Sequence, residues 1–211
     1  MKLCYVTDRQ AFPGTPEAQL RVLLEKIENL GRAGVDWIQI REKDLEGRVL
    51  AGLVEEAKRR TARRCRILLN DRLDVAIAAG ADGVHLGEAS FEIAEAKRFC
   101  AAHRSTGDFL VGVSAHSVEA VKESEGNGAD YAIFGPVFAT PSKLGYGLPQ
   151  GTRKLREVCE SVSLPVLAIG GITVENAAEC ASAGAAGVAA IRLFQDAEDV
   201  SVVLRSLRRV R

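Results

Sequence analysis

A loop rich in hydroxyl groups follows an apolar run in the second half of the chain. Residues 133–138 are largely apolar, and Thr140, Ser142 and Lys143 come directly afterwards, followed by two glycines. Two hydroxyl groups and an ammonium group suit a phosphate or diphosphate, because hydrogen bonds with a charged partner are the strong ones. A mobile surface loop could have the same composition. Irregular loops of this length are uncommon in compact domains and usually functional, which favours phosphate binding.

Polar residues, and one pair of glycines, also stand within or at the ends of other apolar runs. They are Asp8, Gln39, Arg41, Lys43, Asn70, Asp71, His85, Ser114, His116, Gly170, Gly171 and Arg192. The cations among them would repel one another unless an anion joined them. Gly170 and Gly171 could let a phosphate approach backbone N–H groups where a helix starts at Thr173, although a tight turn also explains two glycines.

Three of these residues have more specific candidate roles. Asp71 could ligate Mg²⁺, which prefers carboxylate and phosphate oxygens, or it could cap the next helix. His85 lies inside an apolar run, which favours a hydrogen-bonded core histidine over a ligand. His116 lies just beyond an apolar run and beside Ser114. It is therefore the better candidate for proton transfer near neutral pH.

The elements that must position these residues follow a repeated pattern. Glycine ends a helical stretch and an apolar run follows, within residues 33–40, 79–86, 127–134 and 183–191. Four more apolar runs cover 3–7, 67–69, 109–113 and 165–169. Helices are expected over 17–33, 46–62, 72–79, 91–103, 118–127, 152–161, 174–183 and 197–210, with Ser117 and Thr173 as N-caps.

Eight alternating strand and helix units predict an α/β protein with a single (β/α)8 TIM barrel over residues 1–211. The strands are almost continuously apolar, as expected when both faces are covered. A doubly wound open sheet is the alternative, but no G-x-G-x-x-G follows the first strand to support it. In a barrel, all the polar strand ends would meet at one face.

Composition narrows the functional classes. The 211 residues include 28 basic and 28 acidic side chains, and a net charge of zero argues against a nucleic-acid partner. Five scattered cysteines without a CxxC motif indicate free thiols in a reducing compartment. No apolar run approaches the ~20 residues of a membrane span, so no membrane partner is expected. We therefore expect a cytoplasmic protein.

Several motifs resemble those of the thiamine-phosphate synthase/TenI family over essentially the whole chain. They are Tyr5-Val6-Thr7-Asp8, Gln39-Ile40-Arg41-Glu42-Lys43, Asn70-Asp71-Arg72-Leu73-Asp74, Asp82-Gly83-Val84-His85-Leu86-Gly87, Gly112-Val113-Ser114-Ala115-His116, Gly135-Pro136-Val137-Phe138, Thr140-Pro141-Ser142-Lys143, and Ala168-Ile169-Gly170-Gly171-Ile172 with Asn176. The resemblance implies a (β/α)8 barrel in thiamin biosynthesis.

The family contains two chemistries. The resemblance implies that a synthase joins a pyrimidine diphosphate to a thiazole phosphate with Mg²⁺ at Asp71, and that diphosphate leaves. Its diphosphate contacts would be Gln39, Arg41, Lys43, Asn70 and Lys143. TenI-like members instead tautomerise a thiazole carboxylate phosphate without a cofactor, with the residue matching His116 as acid and base.

Two positions separate this chain from the synthase pattern. Synthases usually carry a second metal-binding Asp where Ser90 stands, and Glu88 is the nearest carboxylate that could substitute. Arg192 also stands where a serine is common, and an extra cation there could strengthen the thiazole-phosphate site or narrow it. These departures narrowly favour a TenI-like tautomerase, because diphosphate chemistry depends on a metal that neutralises charge.

Thiamine-phosphate synthase is the main alternative to the tautomerase. A non-catalytic sensor of thiazole phosphate is a further alternative, because one fold can carry several functions. The partners implied are small molecules, namely thiazole phosphate and, for the synthase, pyrimidine diphosphate. A homodimer is compatible with the sequence.

Overall fold

Eight parallel strands close into one barrel in the computed structural model, which describes residues 1–87, 90–103, 108–140 and 148–210. They are β1 Lys2–Val6, β2 Trp37–Ile40, β3 Arg66–Asn70, β4 Gly83–Leu86, β5 Leu110–Ala115, β6 Tyr131–Phe134, β7 Val166–Ile169 and β8 Gly187–Ala190. Each strand pairs with its neighbours in sequence, and β8 pairs with β1. The predicted barrel is confirmed, and the open sheet is wrong.

Helices cover the outside of the barrel. They are α1 Pro16–Ala33, α2 Gly47–Arg60, α3 Leu73–Ala78, α4 Ile93–His103, α5 Val118–Gly126, α6 Gly151–Ser161, α7 Ala177–Ser182, α8 Arg192–Gln195 and α9 Val200–Arg208. No helix of the described residues is long and apolar enough to cross a membrane. α2 ends before the predicted residue 62 because Ala62 and Arg63 adopt left-handed backbone angles. The helix predicted over 197–210 starts later, at Val200, after the short α8.

The two predicted helix caps have different outcomes. Ser117 caps α5, and its hydroxyl accepts a hydrogen bond from the Ala120 N–H at 3.1 Å. Thr173 does not cap α7, which begins at Ala177 with Asn176 as its N-cap. Thr173 instead forms a separate turn in which its N–H donates to Asn176 Oδ1 at 2.8 Å. The helix start that was expected directly after Gly170-Gly171 is therefore displaced along the chain.

The repeated Gly-x-Asp pattern holds the starts of neighbouring strands together. Asp36, Asp82 and Asp130 each precede a strand. Their carboxylates accept hydrogen bonds from the N–H groups of Leu3 at 2.7 Å, Ile67 at 2.8 Å and Val111 at 2.6 Å respectively. These contacts lie at the end of the barrel opposite the C-terminal strand ends, where residues serve stability rather than chemistry.

Side chains along each strand point alternately into the barrel and outward toward the helices. Those that point inward fill the barrel interior. The interior cluster is Cys4, Val6, Trp37, Leu68, Tyr131, Ile133, Leu167 and Ala189. Tyr131 is fully buried, and a Cβ atom on its neighbour Gly112 would lie 2.0 Å from Tyr131 Cζ. Gly112 therefore provides the space that the Tyr131 ring occupies.

A buried ion pair joins the loops that follow β1 and β2. Arg9 and Glu42 are each 4% exposed, and Arg9 Nη1 donates to Glu42 Oε2 at 3.0 Å. Glu42 also accepts hydrogen bonds from the Thr7 hydroxyl at 2.5 Å and the Arg9 N–H at 3.1 Å. Burial raises the pKa of Glu42, against the lowering effect of these donors. Hydrogen bonds from Arg9 lower the pKa of the neighbouring Asp44 to about 2.

We expect Gly112→Ala to destabilise the protein by at least about 1–3 kcal/mol, because the new methyl group would overlap the Tyr131 ring. Gly52→Ala is the matched control, since Gly52 lies within α2 and a Cβ atom there would have no neighbour within 4 Å. The control should gain up to about 1 kcal/mol. Urea unfolding measures the stability of both variants. An unchanged midpoint for Gly112→Ala would contradict the packing argument.

We expect Glu42→Ala to cost about 1–3 kcal/mol of unfolding free energy, because the buried Thr7 hydroxyl and Arg9 N–H lose their acceptor, while the Arg9 guanidinium keeps its hydrogen bonds to Asp44. Glu95→Ala is the control, since the Glu95–Arg98 pair is exposed and 3.6 Å long. Exposed pairs of this kind contribute roughly 0–1 kcal/mol. Equal losses in the two variants, measured by chemical denaturation, would show that the buried pair has no special role.

Candidate active site

A cavity of about 910 Å³ opens at the C-terminal ends of the strands. Its lining combines charged and polar residues with an apolar floor, and includes Asp8, Gln39, Arg41, Lys43, Asn70, Asp71, His85, Ser90, Phe91, Ser114 and His116. This is the face of a (β/α)8 barrel where active sites are found. The polar strand ends from β1 to β5 meet here, as the sequence predicted.

One side of the cavity carries the positive charge. Arg41 and Lys43 are exposed, and neither forms an ion pair with another described residue. They lie on either side of Glu42, whose side chain is buried against Arg9. The Thr7 hydroxyl, bonded to Glu42, also accepts a hydrogen bond from the Arg41 N–H at 2.9 Å. The buried ion pair thus fixes the backbone that presents both cations.

A chain of amide hydrogen bonds leads from β2 to Asp71. Gln39 Nε2 donates to Asn70 Oδ1 at 3.0 Å, and Asn70 Nδ2 donates to Asp71 Oδ2 at 2.7 Å. Gln39 is 3% exposed, and its Oε1 is buried without a hydrogen-bond partner among the described residues. An unsatisfied acceptor beside a cavity is suited to a ligand that donates a hydrogen bond.

Asp71 holds its carboxylate toward the loop after β4. Its backbone has φ +61°, and Asp71 Oδ1 accepts hydrogen bonds from the Gly87 N–H at 3.1 Å and from the Ser90 hydroxyl. Burial raises the pKa of Asp71, but these donors and the charge of Lys43 outweigh it and hold the pKa below the ordinary value. Asp71 does not cap α3, whose N-cap is Arg72 without a side-chain hydrogen bond. The carboxylate is therefore ionised and oriented.

Ser90 supports Asp71 rather than replacing a carboxylate. Its hydroxyl accepts from the Gly87 N–H at 2.9 Å and donates to Asp71 Oδ1. Glu88, the residue considered as a substitute ligand, lies outside the described residues. No group of three or more His, Cys, Asp or Glu gathers as a metal site in the described part of the chain. A single carboxylate still fits Mg²⁺, which usually keeps several waters and uses one or two carboxylates with substrate phosphates.

His85 is buried between two hydroxyl groups. Its Nδ1 lies 3.1 Å from Tyr131 Oη, and its Nε2 lies 2.9 Å from Ser114 Oγ. Burial lowers the pKa of His85 to about 4, so the ring is neutral near pH 7. The expectation of a hydrogen-bonded core histidine agrees with this environment, although the ring also borders the cavity.

His116 is half-buried at the cavity and has one ring nitrogen engaged. Its Nδ1 donates to the Gly135 carbonyl oxygen, so the neutral ring has its lone pair on Nε2. Gln150 Nε2 donates to the His116 carbonyl oxygen at 3.1 Å and holds the backbone. This arrangement suits a group that accepts and returns a proton.

Several predicted phosphate contacts do not line this cavity. Thr140, Gly170, Gly171 and Arg192 are absent from its lining, and their phosphate roles stay predictions. Ser142 and Lys143 lie outside the described residues. Gly170 and Gly171 have φ +97° and +63°, and Cβ atoms there would meet Pro136 at 2.5 Å and the Ala139 carbonyl at 2.5 Å. Close packing against the segment after β6 is thus one reason for the two glycines.

The sequence reasoning missed the residues that support the site. No sequence pattern identifies Arg9, and Glu42 stands out only as part of the motif Gln39-Ile40-Arg41-Glu42-Lys43. An acidic residue between two basic ones is the signal that could have identified Glu42, since alternate residues of an extended chain face opposite sides. Phe91 was not predicted either, although this aromatic ring is 42% exposed at the cavity.

Comparisons with known proteins show the family to which the chain is related. The family model described as thiamine monophosphate synthase matches residues 3–194. Thiamine-phosphate synthase of Methanoculleus marisnigri is 45% identical over 83% of this chain and 81% of its own length. The corresponding enzyme of Roseiflexus castenholzii is 38% identical over 96% of this chain and 84% of its own length.

Solved structures agree on the architecture. Thiamine phosphate pyrophosphorylase from Pyrococcus furiosus superposes with a TM-score of 0.80 and 33% identity, covering 99% of this chain and 94% of that one. A 3-hexulose-6-phosphate synthase reaches a TM-score of 0.74 at 20% identity, over 100% and 99% of the two chains, which shows the fold alone. The motifs, the fold and these matches together show that the chain belongs to the thiamine-phosphate synthase/TenI family.

Proposed function

We propose that this protein is a thiamine-phosphate synthase that joins a pyrimidine diphosphate to a thiazole phosphate and releases diphosphate. The main support for this proposal is that one side of the cavity is lined by Arg41, Lys43, Asn70 and Asp71. A tautomerase has little need of this diphosphate-binding set. The names of the relatives support the same choice, against the narrow preference for a tautomerase drawn from Ser90.

The two sides of the cavity would bind different parts of the substrates. Arg41 and Lys43 would neutralise the diphosphate as it departs, and charge stabilisation of this kind is usually the largest catalytic contribution. The amides of Gln39 and Asn70 lie on the same side, and the second N–H group of each could donate to the diphosphate and orient it. Ser114, near the end of β5, and His116, directly after β5, lie on another part of the rim and would contact the organic part of the substrates. The cavity thus offers separate surfaces for the leaving group and the reacting ring.

Asp71 is the residue that would hold Mg²⁺. The ion would supply positive charge for the diphosphate oxygens. The hydrogen bonds from Ser90 and Gly87 keep the carboxylate ionised and pointed at this region. Lys143, in the loop outside the described residues, is a further candidate cation at the diphosphate.

The tautomerase remains a second candidate because of two observations. Ser90 contributes no negative charge beside Asp71, and the Nε2 atom of His116, which has no hydrogen-bond partner among the described residues, could exchange a proton in the cavity. In this reaction His116 would remove a proton from the tetrahedral ring carbon of the thiazole carboxylate phosphate and return one to the carbon of the double bond outside the ring, so that this double bond shifts into the ring. The ring would then become aromatic without a metal.

We expect the protein to form thiamine phosphate from pyrimidine diphosphate, thiazole phosphate and Mg²⁺, and Asp71→Asn to lower the rate about 10²–10³-fold, as loss of a key electrostatic group does. Asparagine tolerates the left-handed backbone at this position, so the variant should fold. Mass spectrometry of the product measures the rate.

Asp74→Asn is the matched control for this substitution. Asp74 lies on α3, outside the cavity, and pairs with Arg72 at 2.7 Å. Its replacement should leave the rate unchanged. No product from the unaltered protein, beside an active synthase, would refute the proposed function, whereas full activity of Asp71→Asn would refute only the metal assignment.

If the protein tautomerises the thiazole carboxylate phosphate, we expect His116→Ala to slow that reaction about 10²–10⁴-fold, the usual contribution of a general acid–base group. His103→Ala is the control, because His103 lies exposed at the end of α4. Conversion is followed by the ultraviolet absorbance of the aromatic product. Equal rates in the two variants would remove His116 from the mechanism.

A further inference from the structure

A relay of buried hydrogen bonds connects the barrel interior to the cavity. Tyr131 Oη lies 3.1 Å from His85 Nδ1, and His85 Nε2 lies 2.9 Å from Ser114 Oγ. Tyr131 is 0% exposed and His85 is 2% exposed, whereas Ser114 is half-buried at the cavity wall. The relay therefore crosses three neighbouring strands and ends at the site.

The burial of Tyr131 sets the direction of the relay. Burial raises the pKa of Tyr131 well above its ordinary value, so its hydroxyl keeps its proton. Within the described residues, His85 Nδ1 is the one hydrogen-bond partner of that hydroxyl. A buried donor without an acceptor is costly, so Tyr131 must donate and His85 Nδ1 must accept. The ring proton of neutral His85 then resides on Nε2, which donates to Ser114 Oγ.

Ser114 is left with its own proton unused. A serine hydroxyl carries one donor and two acceptor lone pairs, and the bond from His85 uses one lone pair. We propose that Tyr131 and His85 are positioning residues, which fix the Ser114 hydroxyl as a hydrogen-bond donor toward an acceptor atom of the substrate. This inference rests on the proposed function for the identity of the substrate, whose heterocycles and phosphates both carry acceptors.

The fold holds each member of the relay in place. Gly112 pairs with Tyr131 across β5 and β6 and leaves room for its ring. The Trp37 ring lies 4.7 Å from the Tyr131 ring, centroid to centroid, and confines it from β2. Asn70 pairs with His85 across β3 and β4, and the Asp71 N–H donates to the His85 carbonyl at 2.9 Å. The ring nitrogens of His85 therefore have little freedom to change partners.

The relay also distinguishes Ser114 from His116, two residues along the chain. The Nδ1 atom of His116 donates to the Gly135 carbonyl oxygen, so the ring nitrogen that can act as an acceptor is Nε2. Ser114 presents a donor for the reason given above. The end of β5 thus offers one donor and one acceptor, which favours a heterocycle that can both accept and donate hydrogen bonds over one that only accepts.

The first test is the protonation site of His85 in the unaltered protein, read from ¹⁵N chemical shifts of its ring. We expect Nε2 to carry the proton and Nδ1 to be bare at pH 7.5. A proton on Nδ1 would overturn the inference. This readout needs neither turnover nor substitution, so it separates failure of the relay from failure of the proposed function.

The second test is kinetic. Tyr131→Phe removes the donor that sets the direction, so the Ser114 hydroxyl becomes free to donate to His85 instead. We expect kcat/KM for thiamine phosphate formation to fall about two- to tenfold, the range that corresponds to one net hydrogen bond. Tyr5→Phe is the control, because Tyr5 is equally buried and its hydroxyl donates to Gln195 Oε1 at 2.7 Å, away from the relay.

A double variant distinguishes positioning from general stability. If Tyr131 acts through Ser114, then Tyr131→Phe should have no further effect on kcat/KM in a Ser114→Ala background. Additive losses in the double variant would overturn the inference. So would equal losses in Tyr131→Phe and Tyr5→Phe, because these would reflect only the loss of a buried hydroxyl.

Discussion

Closure of eight parallel strands into one ring is the constraint on which the rest of the structure depends. Parallel pairing around the whole ring brings every strand end to the same rim, so residues from distant parts of the chain become neighbours. Gln39, Asn70, His85 and Ser114 meet in this way. At the other rim, the carboxylates of Asp36, Asp82 and Asp130 join the strand starts. Stability and chemistry are thus assigned to opposite ends of one structure.

Around the cavity, the charged groups and the neutral groups are held in place by different buried pairs of residues. Arg41 and Lys43 are solvent-exposed cations on a backbone that is anchored from beneath by the buried Arg9–Glu42 pair. Ser114 is a neutral group, and its support is the neutral His85–Tyr131 pair. Solvated cations tolerate some mobility because electrostatic attraction is non-directional, whereas a hydrogen-bond donor must be aimed. The deeper and more confined part of the barrel supports the group that needs direction.

Much of the fold could be predicted because it depends on local patterns. The four Gly-containing repeats and the apolar runs located all eight strands to within a few residues. Most helix boundaries were close, but α7 and the region of α8 and α9 were not, because their limits depend on a local turn at Thr173 and on a short helix that has no distinct periodicity. Patterns of apolar spacing carry little information on such turns.

The sequence predicted which residues line the cavity better than it predicted their hydrogen-bond partners. Polar residues at strand ends indicated Gln39, Asn70, Asp71, Ser114 and His116, because the barrel brings those ends together. The support of Asp71 by Ser90, and of Arg41 by Thr7 and Glu42, depends on side-chain directions that spacing alone does not define. Ser90 was therefore interpreted as a missing ligand, although its hydroxyl holds the carboxylate that is present.

The left-handed backbone of Asp71 has a consequence for the evolution of the family. At φ +61°, glycine and asparagine are the replacements that fit most easily, and branched side chains are strongly disfavoured. Both permitted replacements remove the carboxylate while leaving the barrel intact. On the proposed function, genetic drift at this position would therefore slow turnover before it abolished folding. A well-folded protein that binds its ligands and converts them far more slowly is then one substitution away from an enzyme.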